Sequence, residues 1–155
     1  MKRHLLTLLI GLPLMASICT AQTANNADEI AIKKTIIDQT DAFFVKNRDK
    51  WASYWVHEPY ISWTAQGGAD RIMTVTGWED YSRMFEGYFT STTPGPTTKV
   101  VHGDMQITVL DKVATATFLQ TRQSTARNLK SREVRVLEKQ GEDWKLVYVY
   151  SRNIE

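Results

Sequence analysis

Cysteine is nearly absent from this chain. The one example, Cys19, stands inside an N-terminal apolar stretch, so no internal disulfide braces the fold and a chain trimmed of that stretch has no thiol nucleophile. Other absences narrow the chemistry further. There is no His-Glu-x-x-His run, and His102-x-Asp104 is too small a set to hold a metal, so neither a metal nor a cofactor is expected. No glycine-rich phosphate loop and no serine nucleophile elbow occur. Beyond the first 21 residues no apolar run is long enough to span a bilayer, and no internal repeat or low-complexity tract breaks the chain.

The beginning has the three parts of a secretory signal. Lys2, Arg3 and His4 are basic, Leu5 to Ile18 is almost continuously apolar, and the small residues Thr20 and Ala21 precede Gln22. Cleavage after Ala21 is expected, with a lipoprotein at Cys19 disfavoured by bulky Ile18 and a buried N-terminal helix as the structural alternative. This reading gives residues 1–21 as signal, 22–27 as a flexible N-terminus and 28–153 as one domain, exported to the periplasm or secreted. Cleavage takes two of the 19 basic residues and leaves as many basic as acidic ones, 17. The basic character of the whole chain is therefore no sign of nucleic acid, and no stripe of Lys and Arg interleaved with exposed aromatics is present. No membrane contact is expected after cleavage.

Asn26, as an N-cap with Glu29 three residues on, predicts a helix start. Ile30, Ile36, Ile37, Thr40, Phe43 and Phe44 then recur at helical spacing, opposite Lys34, Asp38 and Asp41. Asn47-Arg48-Asp49 breaks that helix, and Asp49 is placed to cap a short second one carrying Trp51, Tyr54 and Trp55, which Pro59 stops. Tyr60 to Thr64 and Arg71 to Thr76 read as a hairpin about Gly67-Gly68. Gly77 hands over to a third helix with Trp78, Tyr81, Phe85 and Phe89 on one face. The last third alternates with period two over Lys99–Leu110, Val113–Ser124, Ser131–Lys139 and Trp144–Arg152, which predicts a four-stranded antiparallel meander. Helices followed by long strands make an α+β domain with helices on one face of a curved sheet.

Three stretches carry a resemblance: "AIKKTIIDQTDAFFVKNRDKWASYW", "VTGWEDY" and "REVRVLEKQGEDWKLVYVYSR". In that order they resemble the nuclear transport factor 2-like superfamily, within it the SnoaL-like proteins, and also the association domain of calcium/calmodulin-dependent kinase. The similarity covers Asp28 to Asn153. It implies a cystatin-like cone: three N-terminal helices on a curved, mostly antiparallel sheet, a pocket open at one end, and a convex face that often pairs into a dimer. Members include isomerases, dehydratases, cyclases and binding modules, so the fold does not choose a reaction.

The resemblance puts Tyr54, Trp55, Trp63 and Trp78 near the pocket wall, with Tyr81 beside them; the bland reading is that aromatic stripes, Phe85 and Phe89 included, close an ordinary core. Arg135, mid-strand between Val134 and Val136, matches an arginine that projects into the kinase domain's pocket. It suits an anionic ligand group, against the alternative of a surface ion pair with Asp104, Glu133 or Glu138. Gln120 and Arg122 share a parity and are candidates to point inward. Tyr148 and Tyr150 stand where many relatives carry histidine, and read with Trp144 and Leu146 as one sheet face suited to a homodimer. His57 and Asp70 are the candidate general bases, each weighed against a plain loop or turn role. The expected function is a small-molecule binder for a partly aromatic or carboxylate-bearing ligand. A cofactor-independent isomerase, dehydratase or hydrolase using His57 or Asp70 is one alternative, and a dimeric module without a ligand is the other.

Overall fold

The computed structural model describes residues 17–67, 71–93, 98–124 and 128–154, with side chains from residue 26 onward. The first helix, α1 (Ser17–Phe44), runs through Asn26 and the 22–27 segment, so Asn26 does not cap it. Its inward stripe is Ile32, Ile36, Thr40 and Phe43, at steps of four, four and three. Ile32 and Ile36 are fully buried, each a contribution of about 1.5–3 kcal/mol. Ile30, expected on this stripe, is 63% exposed. Lys34 and Asp38 pair on the outer side as expected.

Lys46 takes a left-handed φ of 57° and turns the chain. Asn47, not Asp49, then caps α2 (Arg48–Ser53): its side chain accepts from the Lys50 N–H at 3.1 Å. The short helix drives Trp51 into the core. The hairpin follows as β1 (Ser62–Gln66) and β2 (Ile72–Thr76). Gly77 joins β2 to the next helix at φ 87° and ψ 138°, geometry that a side chain rarely tolerates. The expected third helix is broken at Phe85 into α3 (Trp78–Met84) and α4 (Glu86–Thr90).

The meander comprises β3 (Thr98–Leu110), β4 (Val113–Ser124), β5 (Asn128–Gln140) and β6 (Asp143–Asn153), antiparallel throughout. Two-residue loops join β3 to β4 and β5 to β6, with Asp111 and Gly141 at positive φ as tight hairpins between twisted strands need. The six strands lie in the order β2-β1-β6-β5-β4-β3, and β1 meets β6 in parallel. This is the cystatin-like α+β architecture the sequence predicts, a curved and mostly antiparallel sheet with helices over its concave face.

Two irregularities bend the sheet. On β3 the pairing slips between Gly103 and Gln106, where Asp104 has φ 53°. On β6 Val147 is an extra residue, because Val136 faces Tyr148 while Leu137 faces Leu146. Such bulges increase local twist and curvature. The second one corrects a sequence expectation: Trp144 and Leu146 turn inward and are buried, whereas Tyr148 and Tyr150 fall on the outer face. The four do not share one face. The same stretch also gains an extra partner, since Leu146 exchanges backbone hydrogen bonds with Tyr54 and Val56 at 2.8 and 3.0 Å.

Candidate functional site

Period-two alternation carries one row of polar side chains along the concave face. Ser131, Glu133 and Arg135 point inward from β5, between Val134 and Val136 on the outer side. Strand pairing sets Gln120 of β4 opposite Ser131, and Val149 and Ser151 of β6 opposite Arg135 and Glu133. Trp63 enters from β1, opposite Val149. The helices close the space from above: α1 supplies Gln39 and Phe43, α3 supplies Tyr81, and Phe85 comes from the break that follows. Together they enclose a cavity of about 290 Å³.

Its apolar wall is aromatic. Trp55 and Tyr81 lie 4.6 Å apart between ring centroids, and Phe85 meets Tyr81 edge-on at 5.4 Å and Trp63 at 5.8 Å. These are favourable tilted and edge-to-face contacts. Trp51 sits one layer behind, against Trp55, Tyr81 and Phe89.

Its polar wall centres on an ion pair. Arg135 Nη2 lies 2.9 Å from Glu133 Oε2, with side chains 8% and 0% exposed. The Ser131 and Ser151 hydroxyls both donate to Glu133 Oε1, at 2.5 and 2.6 Å. The guanidinium also lies over the Phe118 ring, 5.7 Å from its centroid. Among the described residues, Arg135 Nε and Nη1, Trp55 Nε1, Gln120 Oε1 and Glu133 Oε2 have no hydrogen-bond partner, the last being held only by its ion pair. Buried polar atoms are normally satisfied. Five such atoms lie around this one cavity.

Burial shifts the titration of the neighbouring groups. Burial pushes the Tyr81 phenol far above its usual range, against a smaller downward pull from Arg135, so it stays a hydrogen-bond donor at physiological pH. His102, beside Phe118 at 5.4 Å, is held below the usual imidazole value chiefly by burial and then by Arg135, with Asp41 and Glu133 opposing. Among the described residues no three His, Cys, Asp or Glu side chains converge as a metal site.

Of the residues picked from sequence, Trp55, Trp63, Gln120, Arg122 and Arg135 line the cavity. Arg122 is half-buried near the outer end of β4, and its Nη2 donates to Asn153 at 3.1 Å. Tyr54 and Trp78 do not line it. The Tyr54 hydroxyl donates to Asp38 at 3.2 Å, and Trp78 stacks on the His57 ring at 4.0 Å on the other side of the aromatic layer. His57 is likewise outside: it is exposed, and its Nε2–H donates to the Ala52 carbonyl at 2.9 Å. A carbonyl only accepts, so that nitrogen carries the proton and is engaged. Asp70 lies outside the described residues. Glu133, expected only as a surface partner of Arg135, is instead its fully buried partner. The signal was the spacing Ser131-x-Glu133-x-Arg135-x-Leu137, which puts a carboxylate, a guanidinium and a core leucine on one strand face.

A cone of helices over a bent sheet, with a hollow at its centre, is matched by what is known of other proteins. A family model of the SnoaL-like domain matches residues 32–154. The chain belongs to the SnoaL-like family. No curated protein matches this SnoaL-like chain. Solved structures do. One is a nuclear transport factor 2-like protein with a cystatin-like fold from Novosphingobium aromaticivorans, with TM-score 0.67, 14% identity and 92% of each chain covered. A candidate scytalone dehydratase of the same organism has TM-score 0.65 and 16% identity, over 86% of this chain and 89% of that one. A domain from Chlamydomonas reinhardtii described as homologous to the hub of calcium/calmodulin-dependent kinase II has TM-score 0.63 and 17% identity, over 83% of this chain and 99% of that one. At these identities the SnoaL-like chain shares their fold, and chemistry has to be argued from its own cavity.

Proposed function

We propose that this SnoaL-like protein binds a small molecule in the central cavity, with a ring or branched apolar body against Trp55, Trp63 and Phe85 and a polar group at Arg135. One observation carries the reading: Arg135, 6% exposed, lines the cavity with Nε and Nη1 unengaged among the described residues. A pocket that is mostly apolar with a few convergent polar groups is the usual form of a small-molecule site. The test is thermal unfolding of the purified protein against a panel of aromatic and aliphatic acids, amides and ketones. A true ligand at a hundredfold excess over its Kd adds about 2.7 kcal/mol of stability and raises Tm. A flat response across the panel removes the proposal.

The alternative of cofactor-independent isomerase, dehydratase or hydrolase chemistry has less support. With His57 turned outward onto Ala52, it has Asp70 alone among its expected bases. Assembly is a separate reading. Val134, Val136, Tyr148 and Leu119 lie partly exposed on the sheet face turned away from the helices, which favours a homodimer through that face. Light scattering that gives a monomer at high concentration excludes it. The basic, apolar and small-residue pattern of residues 1–21 supports export to the periplasm or beyond. Mass spectrometry of the exported chain would then find Gln22 at its N-terminus, and retention of Met1 in fractionated cells would count against it.

A further inference from the structure

Glu133 has no role in the binding reading above, although it is the most deeply buried charge near the cavity. We infer that the inner end of the cavity accepts an uncharged carbonyl group rather than a carboxylate, and that Glu133 enforces the choice. The inference rests on the small-molecule reading and names the chemical class of its ligand.

The first argument is charge. Glu133 and Arg135 are 0% and 6% exposed and lie 2.9 Å apart, so their charges cancel where water is excluded. A carboxylate arriving at Arg135 would make two anions share one guanidinium. Like charges in one desolvated site repel strongly, and one of the two carboxylates has to take up a proton. An uncharged carbonyl meets the same N–H groups and brings no second anion. The other cation of the cavity does not restore the balance. Arg122 is only half-buried, nearer the β4–β5 turn than Gln120, with its Nη2 on Asn153.

The second argument is the inventory of hydrogen-bonding atoms. Glu133 is held on both oxygens: Oε1 accepts from Ser131 and Ser151, and Oε2 makes no hydrogen bond but lies in the ion pair, 2.9 Å from Arg135 Nη2. What remains around the cavity is mainly donors, namely Arg135 Nε and Nη1 and Trp55 Nε1. The Tyr81 hydroxyl joins them, since it makes no hydrogen bond among the described residues. The acceptors without a hydrogen bond are Gln120 Oε1 and Glu133 Oε2, the second already held by the Arg135 charge. The complement of that set is an oxygen acceptor with a neighbouring donor and no net charge, which a primary carboxamide or a hydroxy-ketone supplies.

Matched ligand pairs test the inference on the whole protein. The probes are 2-naphthamide against 2-naphthoate and benzamide against benzoate, titrated calorimetrically at neutral pH. The amide of a pair is expected to bind at least tenfold tighter than its acid. In Glu133→Gln, which keeps an oxygen for the serine hydroxyls but frees the Arg135 charge, the ratio is expected to move at least tenfold toward the acid. Tighter binding of the acid to the unaltered protein overturns the inference, and so does a ratio that Glu133→Gln leaves in place. Should that variant not fold, the ratio in the unaltered protein decides alone. No binding by either member of either pair overturns the inference, while the broader panel separately tests whether the cavity binds anything.

Discussion

Trp144 Nε1 donates to Asp28 Oδ1 across 2.9 Å, tying the last strand to the first helix near opposite ends of the chain. Lys139 Nζ donates to the same oxygen at 2.8 Å. The hydrogen bond from Lys139, and then that from Trp144, hold the Asp28 carboxyl below its usual 3.8. Asp28→Ala strands the indole N–H of a buried tryptophan and is expected to lose about 1.5–3 kcal/mol at pH 7. Because the folded pKa is lowered, this stabilisation is full above pH 3.8 and disappears as pH falls through the lower folded value. Urea melts of both proteins at pH 7 and at progressively lower pH check it, since the gap between them has to narrow with acid.

Removing one member of the buried ion pair leaves the other uncompensated. Arg135→Met is therefore expected to destabilise by about 3–5 kcal/mol, and adding Glu133→Gln to recover most of that loss. A double-mutant cycle in denaturant measures the coupling. Additive losses would mean that the two groups act independently despite their 2.9 Å separation.

His57 and Trp55 are near neighbours in sequence with opposite expectations. Trp55 is 1% exposed and lines the cavity, while His57 is exposed and bonded to Ala52. For any compound that raises Tm, Trp55→Leu should cut the shift sharply and His57→Ala should leave it unchanged. A His57→Ala variant that loses the shift would put the ligand elsewhere.

His102 is the titrating group inside the domain. Burial, and then Arg135, set its pKa below 6.5, so the folded chain prefers the neutral ring. Its contribution is full above pH 6.5 and declines as pH falls from there through the folded value. A proton NMR titration of the imidazole should show a midpoint under 6.5, and His102→Gln should flatten the fall in stability over that window. A midpoint at or above 6.5 contradicts the burial argument.

Gly77 holds φ 87° while its N–H donates to the Ile61 carbonyl at 2.8 Å. Gly77→Ala has to carry a side chain in that conformation, at a cost of roughly 1–3 kcal/mol. A drop in Tm without change in the fold by circular dichroism is the expected result.

The meander was legible because each strand alternates over ten residues or more, long enough for the period to outweigh local preference. The same parity brought Gln120 and Arg135 to one face. Parity fails where a residue is inserted, and nothing in the sequence around Val147 marks a bulge, so period two alone sets Trp144 and Leu146 on the outer face with the tyrosines, whereas they turn into the core. Ile30 fits the helical period as well as Ile32 does, and only the direction from which the sheet approaches separates them. Glu133 was read as a surface partner because a carboxylate is rarely buried. Its burial depends on Ser131 and Ser151, the second of which arrives from another strand.

The extra residue at Val147 has one more consequence. With Val147 left unpaired between Leu146 and Tyr148, deleting it would restore simple alternation and leave every inward side chain on its present side. What would go is the bend. How much room the hollow has and which groups line it are thus written at different places in the chain, and gaining or losing a single unpaired residue can resize the chamber without altering the chemistry of its walls.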